Sequence, residues 1–209
     1  CIRDSCTGEC VADIKRVVTG KVRLSHVHVF KPNAAVPGAT EKYSVVVLLP
    51  KSDVATKARI DAAIKAATDE GVQKVWNGMR PPKVSTPIHD GDGTRPSDGM
   101  PYPEECKGCW VFTASTGVDY GAPEVVDRNR NPIIDQSEVY SGMYGRVAVR
   151  FSAYAFSGKK GIGAYLGNIQ KLADGVPLGG SKPSAADDFA DDYVDDTEID
   201  PITGMPIQK

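Results

Sequence analysis

Gly145-Arg146-Val147-Ala148-Val149-Arg150-Phe151-Ser152-Ala153-Tyr154-Ala155-Phe156 is the stretch that decides the fold. Successive side chains of an extended strand point to opposite faces. Val147, Val149, Phe151, Ala153 and Ala155 therefore share one face, which suits a core. Arg146, Ala148, Arg150, Ser152, Tyr154 and Phe156 share the other. Twelve residues of this alternation read as a long β-strand. Gly158-Lys159-Lys160-Gly161 follows as an expected hairpin turn, and Ile162 to Leu172 as the returning strand.

Working outward, Lys21 to Phe30 reads as another strand. Its apolar phase shifts near Ser25, as at a β-bulge, and Pro32 is expected to end it. Tyr43 to Leu49 is apolar on both faces and fits a covered strand. Pro50 stops it, and Ser52 and Asp53 are cap candidates for an Ala-rich helix to about Glu70. Gly71 is expected to stop or weaken that helix. Trp110 to Ala114 completes a set of five strands. Residues 78–108 and 117–138 are long, turn-rich connections. The expected class is all-β with one helix: an OB-fold-like five-stranded Greek-key barrel with long loops. A β-sandwich is the alternative that periodicity leaves open.

Three regions follow: a Cys-rich N-terminal extension (1–16), the barrel (17–178) and a C-terminal tail (179–209). The tail's Gly, Pro, Ser and Asp cannot bury enough apolar surface to fold alone, so disorder is expected there. The net charge of −2 conceals an asymmetry. Asp187 to Lys209 holds eight acids and one base, whereas the rest holds 24 bases and 19 acids. A mildly basic body attracts phosphate, and an acidic segment competes for the same surface. Simple solubility is the plainer role for the acids. Val45 to Leu49 is the longest apolar run, far short of a bilayer span. With no secretory signal visible, a cytoplasmic setting without membrane is expected.

The polar face of the decisive strand points to nucleic acid. Arg146 and Arg150 can pair with phosphates, and Tyr154 and Phe156 can stack on unpaired bases at about 1–3 kcal/mol each. Lys159 and Lys160 extend the positive track. Trp110, Tyr43 and Tyr165 are further stacking candidates, although Trp110 and Phe112 share a side that could equally be core. A solvated strand face with its aromatics packed on a loop is the competing reading.

Longer motifs carry a resemblance. Tyr140-Ser141-Gly142-Met143-Tyr144-Gly145-Arg146, then Asn168 to Leu172, Gly175 to Gly180 and Asp187-Asp188-Phe189-Ala190-Asp191-Asp192, closely resemble the phage-encoded single-stranded DNA-binding proteins. Val18 to Leu24, Tyr43 to Ser52 and Val125 to Asn129 match as well, so the resemblance spans roughly residues 17–195. That family is distantly similar to the replication SSB of T-seven-type coliphages. The resemblance implies an OB-fold, sequence-independent binding of single strands during phage replication, recombination or repair, and no catalysis. It also implies an infected bacterial cell as the setting. The acidic segment Asp187 to Asp200, with Phe189 and Tyr193, would contact replication proteins such as a polymerase or helicase and compete with DNA. Those relatives end on an acidic stretch with a terminal aromatic, whereas this chain continues through Pro201 to Lys209. Both a monomer and a homodimer stay open.

Cysteines are the departure from that pattern. Cys6 and Cys10, with Cys106 and Cys109, form two closely spaced pairs that suit a tetrahedral structural Zn²⁺. Lys107-Gly108 permits the tight turn such a knuckle needs. Four reduced thiols, or an iron–sulfur cluster on the same ligands, are the alternatives. His26 and His28 share a strand face that suits solvent, metal or DNA. His89 with Asp90, Asp92 and Asp98 would suit a Mg²⁺-dependent nuclease, although Gly-Asp-Gly is also ordinary turn sequence. A recruiting module that does not bind DNA is the third reading.

Overall fold

The computed structural model describes residues 13–34, 37–156 and 158–178. Eight strands and one α-helix occur in the order β1 (Arg16–Val18), β2 (Val22–Asn33), β3 (Lys42–Pro50), α1 (Val54–Lys74), β4 (His89–Asp90), β5 (Cys109–Gly117), β6 (Val125–Val126), β7 (Tyr144–Phe156) and β8 (Lys159–Ala173). Five of these are long, and they close on themselves. The ring runs β7-β2-β3-β5-β8 and returns from β8 to β7. Every junction is antiparallel except β5 with β8, where Ser115 pairs Tyr165 in parallel. The five-stranded OB-like barrel expected from sequence is thus present, and the sandwich alternative is not. The short strands are additions: β1 extends β7, β4 extends β5, and β6 extends β8.

Alternation builds the core. Val147, Val149 and Phe151 of β7 face Leu24 and Val29 of β2, Val45, Val47 and Leu49 of β3, Phe112 and Ala114 of β5, and Ile162 and Ile169 of β8. Phe112 and Phe151 meet with ring centroids 6.3 Å apart. The phase shift near Ser25 is a bulge. Ser25 pairs Val46 but His28 pairs Ser44, so β2 carries one extra residue there. His26 takes that extra place at φ 46°.

Three local expectations need correction. Pro32 does not end β2, because Asn33 still pairs Lys42. The register shifts between His28 and Asn33, so the ladder there tolerates a residue without an N–H. The turn after β7 is tighter than Gly158 to Gly161. Phe156 pairs Lys159 directly, and Gly158 supplies a positive φ of 77°. Both lysines therefore belong to β8. Gly71 does not end α1, which runs on to Lys74; it is buried where the helix crosses β7. A Cβ at Gly71 would lie 2.4 Å from the Ala153 Cβ. Glycine is required there by close approach.

At the start of α1, the Asp53 carboxylate accepts the Thr56 amide at 3.0 Å; the Thr56 side chain, and then this amide, hold its carboxyl below the usual range. Ile60, Ala63, Ala67 and Gly71 form the buried face. Trp76 follows the helix and is fully buried, its Nε1 donating to the Tyr154 carbonyl at 3.0 Å. Residues of the 78–108 connection cover part of the outer surface of β3 and β5. There Leu48, Cys106 and Val111 make a second small core, with Tyr102 and Leu178 against it.

Candidate nucleic-acid interface

The outer surface of the barrel carries a belt that runs across the strands. Arg16 of β1 is the register partner of Arg150 of β7. Arg150 is in turn the partner of Tyr165 of β8, and Tyr165 of Ser115 of β5. Ser115 pairs Ser44 of β3, and Ser44 pairs His28 of β2. Paired residues point to the same side of a sheet. These six therefore face outward in one continuous line, perpendicular to the strands.

Two grooves lie along the belt. One, of about 560 Å³, is lined by Arg16, Arg150, Ser152, Tyr165, Asn168 and Tyr120. Tyr120 is 86% exposed and Tyr165 44% exposed, so both rings are free to stack. The other, of about 740 Å³, is lined by His26, His28, Lys42, Thr113, Ser115 and Phe156. Phe156, at the tip of the β7–β8 hairpin, is 78% exposed. Strands β3 and β5, the loop before β3 and this hairpin occupy the positions through which OB barrels receive oligonucleotides.

Arginines extend the first groove along β7. Arg146 and Arg130 line a smaller recess of about 190 Å³ that shares Ala148 and Asn168 with it. Arg146 is aimed by its Nε, which donates to the Thr19 carbonyl at 3.1 Å. Arg130 is aimed by its turn. The Asp127 carboxylate accepts the amides of Asn129 (2.7 Å) and Asn131 (2.8 Å). Hydrogen bonds from Asn131 hold that carboxyl below the usual range. Gln170 Nε2 donates to the carbonyls of Asp127 and Arg128, fixing the turn to β8. Among the described residues Arg150 makes one ion pair, with Asp13 at 3.3 Å. Both partners are well exposed, so the pair yields readily to a competing phosphate.

The residues singled out from sequence divide by place. Arg150 and Tyr165 come together at the first groove, and Arg146 lines the smaller recess next to it. Phe156 lines the second, and Lys159 is its register partner. Lys160 pairs Ala155 on the same hairpin. Tyr154 is half-buried: its hydroxyl lies beside Gly161, against which Ser85 packs. Trp110 packs on the core, with Lys51 and Lys57 over its ring at 5.2 and 4.7 Å. Tyr43 is half-buried and pairs Thr116. Neither Trp110 nor Tyr43 lines a groove. Arg16 and Tyr120 were not legible as site residues. Arg16 lies in a three-residue strand, too short for periodicity.

The acidic loop has no nuclease geometry. Lys51 Nζ donates to Asp90 Oδ1 and Asp92 Oδ2, each at 2.6 Å, and holds both carboxyls below their usual range. Asp98 pairs with Arg95 at 2.9 Å. Among the described residues no group of three His, Cys, Asp or Glu side chains could hold a metal. Cys6 and Cys10 lie outside the described residues. Cys106 and Cys109 are free thiols, raised by burial, Cys106 to about 11. Gly108 between them has φ 68°, so the expected tight turn is present. No helix among the described residues is long and apolar enough to cross a membrane.

No curated protein matches the chain. Among solved structures, the single-stranded DNA-binding protein from bacteriophage Enc34 in complex with ssDNA superimposes with a TM-score of 0.66 at 26% identity. The match covers 79% of this chain and 90% of that one. A C-terminal truncation of the same phage protein gives a TM-score of 0.63 at 26% identity, covering 78% and 89%. The single-stranded DNA-binding protein gp2.5 of bacteriophage T7 shares the fold, with a TM-score of 0.54 at 14% identity, covering 88% and 98%. A family model described as "Enterobacter phage Enc34, ssDNA-binding protein" matches residues 15–199. With most of its length matched, the chain belongs to this family of phage ssDNA-binding proteins.

Proposed function

We propose that this protein binds single-stranded DNA without sequence preference, in the replication, recombination or repair of phage DNA within an infected bacterium. The carrying observation is the belt from His28 to Arg16, in register across six strands, with exposed aromatics beside it. A single strand laid along this line places phosphates near Arg16, Arg150 and Arg146 at one end. At the other it meets Lys42 and Lys159, with Lys160 on the opposite face of the hairpin. Its bases reach Tyr165, Tyr120 and Phe156. Aromatic faces accept any base, which supports binding with little sequence preference. Members of the family act by binding, not by catalysis, and the Lys51-bridged aspartates fit that reading.

Fluorescence-anisotropy titration of labelled oligo-dT against a matched duplex tests this. Neutralising four or five phosphates predicts a log–log salt slope of about −3 for the single strand. Equal affinity for the duplex, or no salt dependence, would end the proposal. The acidic segment Asp187 to Asp200 lies outside the described residues. We infer from its charge that it competes with DNA for the arginines and offers a contact to replication proteins. The same titration on a chain lacking residues 187–209 should then show tighter binding; unchanged affinity refutes the competition. The spacing of Cys6, Cys10, Cys106 and Cys109 supports a structural zinc. Metal analysis of the purified chain should find about one zinc per chain, and a metal-free, fully folded chain would refute it.

A further inference from the structure

A pocket of about 480 Å³ opens beside the second groove and shares His26, Val46 and Thr113 with it. The two spaces therefore adjoin along the outer face of β2, β3 and β5. We propose that this pocket receives one base turned out of the bound strand, a reading that rests on the single-stranded DNA function above.

Shape and chemistry both favour a flat, uncharged heterocycle. The lining is largely apolar, from Val46, Val111 and Cys106, with the rings of Pro87, Pro96 and Tyr102 beside them. Pockets of this volume with mostly apolar walls and a few polar groups suit small planar ligands. Burial lowers the His89 imidazole and raises the Tyr102 phenol and the Cys106 thiol, so all three are neutral near pH 7. The charged lining is Glu105 and Arg95. Arg95 is already paired with Asp98 at 2.9 Å. A phosphate would find little here, whereas a base would find a stacking partner in Tyr102.

One polar group also lacks a partner. The Nε–H of Arg95 is enclosed and makes no hydrogen bond among the described residues. Buried donors are normally paired, and an exception calls for an explanation. A small turn of the guanidinium would offer this N–H to an acceptor in the pocket, such as a carbonyl oxygen of thymine, cytosine or guanine. The bulge at His26 contributes by placing an exposed imidazole at the junction of groove and pocket.

Photocrosslinking of the full chain tests the assignment. Oligo-dT strands carrying a single 4-thiothymidine, moved along the sequence, are bound, irradiated and mapped by mass spectrometry. Adducts are expected in two places: on belt residues such as Tyr165 or Phe156, and on the peptide from Pro87 to Cys106. Arg95→Met should lower the pocket adduct about fivefold, the size of one net hydrogen bond, and leave the belt adducts unchanged. The unchanged belt adducts show that the variant is folded. Adducts confined to the belt would overturn the pocket and leave DNA binding intact. Pocket adducts undiminished in Arg95→Met would overturn the role of its N–H. Absence of any adduct would count against the DNA-binding reading itself.

Discussion

Replacing Arg150 and Tyr165 together by alanine should weaken binding of oligo-dT by about a hundredfold. Stacking of one base is worth about 1–3 kcal/mol by alanine substitution, and tenfold corresponds to about 1.4 kcal/mol. Tyr165 alone is thus expected to lose roughly ten- to fiftyfold, with Arg150 supplying the remainder through a phosphate. The log–log salt slope should fall by about 0.7, because one phosphate contact is gone. The two residues are cross-strand partners. Their effects should therefore couple rather than add, and a double-mutant cycle would show it. Stability should hardly change, since the Arg150–Asp13 pair is exposed and Tyr165 lies outside the core. Lys65→Ala, on the exposed side of α1, is the control and should bind as the parent does. If the double variant stays within about threefold of the parent, the strand does not follow the belt.

Trp76→Ala should destabilise the fold by about 3–5 kcal/mol, the usual loss for a large buried aromatic. For a domain of this size the melting midpoint should drop by roughly 10 °C. Two effects combine. Trp76 is fully buried among core side chains, so its removal leaves a cavity. Its indole N–H also satisfies the Tyr154 carbonyl on β7, which would lose that partner. Trp76→Phe keeps most of the apolar volume but not the N–H, and should fall between the two. Thermal melts followed by far-UV circular dichroism decide the matter. A shift of less than about 3 °C for the alanine variant would mean that Trp76 does not help lock α1 to β7.

The sequence made the long strands legible because each carries its own period of two over many residues. Even the bulge in β2 shows as a change of phase at Ser25. The helix is legible from Asp53 and from Ile60, Ile64 and Ala67. Errors arose where a neighbour decides the outcome. Gly71 looks like a stop, yet it is a contact point with Ala153. Gly158 and Gly161 look like two ends of one turn, yet Gly161 is a strand residue kept small by Ser85 and Tyr154. The site was legible in part. Arg146, Arg150 and Tyr165 were marked by residue type and alternation. That Arg16 joins them depends on the pairing of β1 with β7, and no local pattern reports pairing across more than a hundred residues. Lys51 likewise neutralises Asp90 and Asp92 from about forty positions away.

The parallel junction of β5 with β8 has a consequence for the life of the chain. Closure there joins residues fifty positions apart and needs the last long strand to be written. During synthesis, the ribosome releases β2, β3 and β5 well before Tyr165. Until then neither the closed ring nor the aromatic midpoint of the belt exists. A growing or prematurely ended chain is therefore expected to lack the grip on a single strand that the closed ring would give, so DNA binding should appear only once translation has passed the final strand.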